Sequence, residues 1–135
     1  TALTLALKAH AGQRDKAGPA YIKHPLRVMH QLQDEREQAT ALLHDVLEDS
    51  SLTSDDLRQA GIPDEVIQAV ELLTRDFGES YEQYLERVRA NPIARAVKLA
   101  DLNDNLRLER LGIVTNADLD RLNKYLRAKA YLETT

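Results

Sequence analysis

Nowhere along these 135 residues do apolar side chains alternate with period two for long enough to build a strand; they recur instead at the three- and four-residue spacing of a helix face. Proline and glycine mark where each run begins or ends. Residues 1–11 repeat apolar side chains with helical period until Gly12, and a loop over 13–24 carries the pair Gly18 and Pro19. Pro25 suits the first turn of a helix reaching about residue 33. Residues 37–49 read as a further helix, apolar at Ala39, Leu42, Leu43, Val46 and Leu47. Thr53 or Ser54 caps a short helix closed by Gly61, and Pro63 starts another to about residue 75. Ser80 with Gln83 makes a capping-box pattern for 81–90, Pro92 opens a long helix to about 111, and Gly112 closes it. Thr115 or Asn116 caps the last run, 117–132. The expectation is an all-α bundle of about eight helices, one domain over 1–135, with no linker or repeat.

Composition removes several functions. Eighteen basic and 22 acidic side chains leave a formal charge of −4, which argues against general nucleic-acid binding. No run approaches the ~18 apolar residues of a membrane span, and 2–7 is too short for a signal-peptide core. The absence of cysteine excludes disulfides, thiolate metal sites and thiol nucleophiles, and fits a cytoplasmic setting. Charge is also unevenly placed. Residues 1–30 hold Lys8, Arg14, Lys16, Lys23 and Arg27 against Asp15 alone, with His10, His24 and His30 among them. That asymmetry suits a local site for a small anion.

The chemistry shows where ionisable groups fall on faces that should be apolar. Ala41, His44, Asp45 and Glu48 share an arc of about 100° on one helix, with Asp49 at its margin. They sit between apolar neighbours on either side, where a carboxylate is rarely buried unpaired. Asp101 falls on the stripe of Ala94, Val97, Asn105 and Leu108, which reads as inward-facing. His24 ends the glycine-bearing loop, next to the rigid Pro25. A metal ion held by His24, His44, Asp45 and Asp101 accounts for these groups together. Mixed nitrogen and oxygen ligands favour octahedral Mn²⁺ or Fe²⁺, with Co²⁺ an alternative, over tetrahedral Zn²⁺ or oxygen-loving Mg²⁺. Glu48, one turn beyond His44, could take a proton from water, while Lys16, Lys23, Lys98 and Arg107 could offset phosphate charge. Tyr21 is the aromatic residue placed beside the site; Tyr81, Tyr84, Tyr125 and Tyr131 read as packing residues. Arg121, Lys124, Arg127 and Lys129 read as a solvated or oligomer-forming helix face.

Three blocks in fixed order carry a resemblance: Tyr21-Ile22-Lys23-His24-Pro25 preceded by Ala9-His10-Ala11-Gly12-Gln13, then His44-Asp45-Val46-Leu47-Glu48-Asp49, then Lys98-Leu99-Ala100-Asp101 followed by Asn105. Over roughly 3–110 the chain resembles the HD-domain metal-dependent phosphohydrolases, and within them the RelA/SpoT-type hydrolase domain and stand-alone small alarmone hydrolases. The resemblance implies an HD-domain helical bundle, metal ligands His24, His44, Asp45 and Asp101, and an acidic pair Glu48 and Asp49 that positions and deprotonates water. It implies substrate contacts at Lys16 and Asn105, a Mn²⁺ cofactor, and removal of the 3′-pyrophosphate of guanosine tetra- or pentaphosphate.

Departures bear on recognition of the base. Larger members often carry Arg-Lys where this chain has Asp15 and Lys16, and Arg14 lies one position away. They usually have Arg and His before the asparagine, where this chain reads Leu102, Asn103 and Asp104. The base stays open between guanine and adenine, as do the oligomeric state and regulation. The length leaves room for a hydrolase without synthetase or regulatory domain. Two other readings stand beside this one: another HD phosphohydrolase such as a nucleoside 5′-monophosphatase, and a catalytically silent helical binding module.

Overall fold

In a computed structural model, which describes residues 1–15 and 18–134, the chain is all-helical, with nine α-helices and one 3-10 turn among the described residues. They are α1 (Ala2–Ala9), α2 (Lys23–His30), α3 (Glu35–Leu43), α4 (Val46–Asp49), α5 (Ser54–Gln59), α6 (Asp64–Leu73), α7 (Tyr81–Arg89), α8 (Pro92–Asn105), the turn Leu108–Arg110, and α9 (Asn116–Glu133). The loop after α1 closes on itself through one antiparallel bridge between Arg14 and Ala20.

Local chemistry explains most boundaries. Asp34 caps α3 by accepting from the backbone amides of Arg36 and Glu37. Thr53 with Asp56, Ser80 with Gln83, and Thr115 with Asp118 form reciprocal capping boxes at the starts of α5, α7 and α9. Asn91 caps α8, with Pro92 in its first turn. Gly12 and Gly61 take φ of +79° and +92°, a conformation that side-chain-bearing residues avoid, and so turn the chain out of α1 and α5.

Several boundaries differ from the periodicity by two residues or more; α1 ends at Ala9 and α3 begins at Glu35. Helix α2 begins at Lys23, two residues before Pro25. Helix α8 stops at Asn105, and residues to 110 tighten into the 3-10 turn. The run 37–49 breaks at His44 and Asp45 into α3 and α4, which accounts for the ninth helix. His44 Nδ1 lies 2.6 Å from the Ala41 carbonyl and competes for an oxygen the helix would otherwise use, while Asp45 takes φ −106°, ψ 0°.

Two apolar clusters fill the interior. One gathers Val28, Ala41, Val88, Val97, Leu102 and Leu132, among others, from α2, α3 and α6–α9; the other gathers Leu43, Val46, Leu57, Ile67 and Val70 from α3–α6. Each large side chain fully buried here contributes about 1.5–3 kcal/mol. Helix α3 packs against α1, α2, α6 and α8, and supplies Ala41 to one cluster and Leu43 to the other. Its C-terminal end, where His44 and Asp45 follow, is therefore held between both. Among the described residues no helix is long and apolar enough to cross a membrane.

Candidate active site

Three segments converge at the end of α3. His24 comes from the first turn of α2, His44 and Asp45 from the α3–α4 break, and Asp101 from the middle of α8. Ligand-type atoms of His24, His44 and Asp45 all lie within 4.8 Å of one another. Asp101 Oδ1 joins them, 2.9 Å from His24 Nε2 and 3.4 Å from His44 Nε2. His24, His44 and Asp101 are buried, and Asp45 is partly so.

The donor set fits a cation. His44 Nδ1 faces the Ala41 carbonyl, which can only accept, so Nδ1 carries the proton and Nε2 of the neutral ring is a bare lone pair. That Nε2 is buried and has no hydrogen-bond partner among the described residues, although it stands 3.1 Å from Asp45 Oδ2. An orphaned buried acceptor facing two carboxylates is costly in a protein interior and favourable around a divalent ion. Without an ion, protons take its place. Burial disfavours charge on His44, but Asp45 and Asp101 outweigh it and raise its pKa well above the usual imidazole value. His24 is likewise desolvated, yet Asp101 and Asp104, hydrogen-bonded to its two nitrogens, raise its pKa. Burial pushes Asp45 up, but His44 and Tyr21 bring it down to about 2.

The residues around this set divide by what they touch. The Tyr21 hydroxyl donates to Asp45 Oδ2, and its ring contacts those of His10 and His24 at 4.9 and 5.7 Å. Lys98 lies against the site rather than on a solvated face: its ammonium donates to Asp101 Oδ2 at 2.9 Å, and Asp101 holds its pKa well above normal against the cost of burial. Asn105 Nδ2 donates to Asp101 Oδ1 at 3.0 Å. Glu48 is exposed and accepts from the Arg75 amide at 2.8 Å, tying α4 to the end of α6. The Asp49 carboxyl is raised by burial and by the charges of Asp45 and Glu48. Its carbonyl accepts from Gln13 Nε2 at 2.8 Å. Arg107 is exposed and reaches Asp104 and Glu109. Arg14 is exposed and reaches the Gly18 carbonyl, Lys23 is exposed, and Lys16 lies outside the described residues.

Other polar groups here were not read as site residues from the sequence. Asp104, one turn after Asp101, is buried against His24 and three arginines. Its position three residues along a stripe already read as inward-facing was the available signal. Arg110 joins Asp15 at 2.7 Å and Asp104 at 3.2 Å; nothing in the helical pattern marks it, because the 3-10 turn folds it back. Arg75 and Lys124 flank the Tyr81 ring at 5.6 and 4.1 Å from its centroid, beside a groove of about 540 Å³ between α7 and α9. Lys124 is lowered by burial and by the like charges of Arg75, Lys98 and Arg121. The α9 side chains read as solvated thus include part of a crowded cationic wall. Tyr84 is buried, its hydroxyl donating to the Leu73 carbonyl at 2.8 Å, and burial pushes it up to about 12.

Comparison with known proteins bears on this arrangement. No family model matches the chain. It is 34% identical over 121 residues to a probable guanosine-3′,5′-bis(diphosphate) 3′-pyrophosphohydrolase of Synechocystis sp., a match covering 78% of this chain and 16% of that protein. It is 30% identical over 118 residues to the guanosine-3′,5′-bis(diphosphate) 3′-pyrophosphohydrolase of Aquifex aeolicus, covering 78% of this chain and 17% of the relative. The chain thus spans about one sixth of the length of these relatives. A solved structure of a metazoan ortholog of SpoT, which hydrolyzes ppGpp and plays a role in starvation responses, superposes with a TM-score of 0.80 at 27% identity, covering 99% of this chain and 84% of that one. By fold and by sequence the chain is similar to the hydrolase domain of RelA/SpoT-type proteins.

Proposed function

We propose that the chain hydrolyses the 3′-pyrophosphate of (p)ppGpp, or of a related alarmone such as (p)ppApp, with Mn²⁺ as its preferred ion. The observation that carries this reading is the convergence of His24, His44, Asp45 and Asp101 around the buried, unpartnered Nε2 of His44. It does so in a fold shared with a ppGpp-hydrolysing protein.

Water attacks the phosphorus bonded to the ribose 3′-oxygen; that P–O bond breaks, pyrophosphate departs, and the 3′-oxygen takes a proton and stays on the nucleoside 5′-diphosphate. The divalent ion held by the two histidines and two aspartates would supply Lewis acidity, acidifying water and polarising the phosphoryl oxygen. Asp49, whose carboxyl is raised by burial and by the charges of Asp45 and Glu48, takes the proton from water. Glu48 fixes α4, and with it Asp49, against the end of α6. Tyr21 holds the Asp45 carboxylate in place by its hydroxyl hydrogen bond. Arg75 and Lys124, which flank the Tyr81 ring near Lys98, are the cations that a phosphate chain entering from the α7–α9 side would meet, beside Glu82 and Glu86. Lys16, Asn105 and Arg107 remain candidate contacts to the nucleotide.

Metal-stripped protein incubated with ppGpp, ppApp, dGTP and GMP, with and without Mn²⁺, tests this by anion-exchange chromatography of the products. The expected result is pyrophosphate plus a nucleoside 5′-diphosphate only with metal, and none from Asp45→Ala. Orthophosphate from GMP would move the chain to the nucleotidases. Folded, Mn²⁺-bound protein with no turnover would make it a binding module.

A further inference from the structure

Asp104 is 1% exposed, and no part of the proposed metal set or hydrolytic step assigns it a role. Its Oδ2 lies 2.6 Å from His24 Nδ1, 3.1 Å from Arg27 Nη2 and 3.2 Å from Arg110 Nη1. Its Oδ1 lies 2.7 Å from Arg27 Nε and 3.4 Å from Arg107 Nη1. Guanidinium groups are always donors, so they keep this carboxylate ionised and acceptor-only. His24 Nδ1 must then carry a hydrogen, and the neutral ring has a single tautomer available, with its lone pair on Nε2. That atom is the one 2.9 Å from Asp101 Oδ1, among the ligand-type atoms of His44 and Asp45.

The two site histidines therefore reach the same state by different means. His44 is oriented by a neutral backbone carbonyl, whereas His24 is oriented by a full negative charge. A carboxylate on the far nitrogen makes an imidazole a stronger electron donor than a carbonyl does. The support is itself braced. Arg27 is one turn beyond His24 on α2, and Arg110 links Asp104 to Asp15 of the loop before α2 and to Asn105 of α8.

We propose that Asp104 is a positioning residue, which fixes His24 as an Nε2 donor and strengthens it as a metal ligand, with Arg27 and Arg110 keeping it charged and in place. The inference rests on the metal reading of the His24–His44–Asp45–Asp101 cluster. Calorimetric titration of the metal-free chain with MnCl₂ tests it without recourse to turnover. Compared are the parent, Asp104→Asn, Arg27→Gln and His24→Ala, with melting curves of each metal-free protein. The parent binds one Mn²⁺ that His24→Ala loses, and Asp104→Asn binds it roughly ten- to a hundredfold more weakly. Arg27→Gln, which leaves the contact with His24 and that with Arg110 in place, weakens binding by a smaller factor. Should Asp104→Asn fail to fold, the paired change with Arg27→Gln, which strands no α2 guanidinium, reads the same quantity. Affinity within about twofold of the parent in a folded Asp104 variant would overturn the positioning role and leave the metal site standing. A folded parent that binds no Mn²⁺, Fe²⁺ or Co²⁺ would overturn the metal reading and the inference with it.

Discussion

Asp101 and Asp45 carry the same functional group but stand in different surroundings, and their replacement should separate stability from chemistry. Asp101 accepts from Asn105 and from the buried ammonium of Lys98, whose partner it is on α8, and lies 2.9 Å from His24 Nε2. Burial opposes its charge, yet Lys98 and His44 hold its pKa well below the usual carboxylate range. Removing one member of a buried ion pair leaves the other uncompensated, so Asp101→Ala should cost about 3–5 kcal/mol in urea unfolding of the metal-free protein. Asp45 is paired with neutral Tyr21 and with an imidazole, and its side chain is 21% exposed. Asp45→Asn should cost about 2 kcal/mol, less than Asp101→Ala, while losing Mn²⁺ binding. Equal losses of stability in the two variants would contradict the different roles given to Lys98 and Tyr21. A second pair divides the acidic residues of α4. Asp49→Asn should lower kcat about 10²–10⁴-fold with KM little changed, as loss of a general base does. Glu48→Gln keeps an acceptor for the Arg75 amide and should lose far less; a steady-state comparison in which Glu48→Gln is the worse variant would reverse the assignment.

Helices were legible where side chains announce their ends. Ser80 with Gln83, Pro92, and the cap at Thr115 or Asn116 were local signals, and the starts of α7, α8 and α9 follow them; Asn91 and Asp118 complete the last two caps in the structure. The Thr115 side chain caps the start of the eighteen-residue α9, so Thr115→Ala should cost about 1 kcal/mol in thermal or urea unfolding. A change below a few tenths of that would mean the packing of Ala128 and Leu132 alone sets this helix. The break at His44 and Asp45 was not legible, since a periodic pattern counts apolar residues and cannot see an imidazole competing for the Ala41 carbonyl. The same limit applies to the site. His44, Asp45 and Asp101 stood out because each interrupts an apolar stripe, and His24 because it ends the glycine-bearing loop beside Pro25. Arg27, Arg75 and Arg110 did not, since an arginine on a helix flank looks the same whether it meets water or a buried carboxylate. Only the tertiary crossing of α2, α8 and the 3-10 turn decides that.

At the scale of the whole molecule, protons and metal compete for one interior cluster, and stability should report which is bound. His24 and His44 have pKa values raised by neighbouring carboxylates, so in the metal-free chain their contribution is fully present below the unfolded imidazole value of about 6.5 and lost as pH rises through the raised folded values. The carboxylates work in the opposite sense. Asp45, brought to about 2, and the depressed Asp101 and Asp104 stabilise the fold above about pH 4 and lose that contribution as pH falls through their folded values. Metal-free protein should therefore be most stable between about pH 4 and 6.5 and soften above it. A divalent ion requires neutral imidazoles, so its binding displaces protons and strengthens with pH. Mass action then adds about 2.7 kcal/mol at a hundredfold excess over Kd, and more as Kd falls. Melting temperatures with and without MnCl₂ should consequently diverge between about pH 6 and 8, the metal-free curve falling while the metal-loaded curve holds or rises. A gap that stays constant across that range would mean the ion is not replacing protons on His24 and His44. A gap that closes with rising pH would place the ion elsewhere on the molecule.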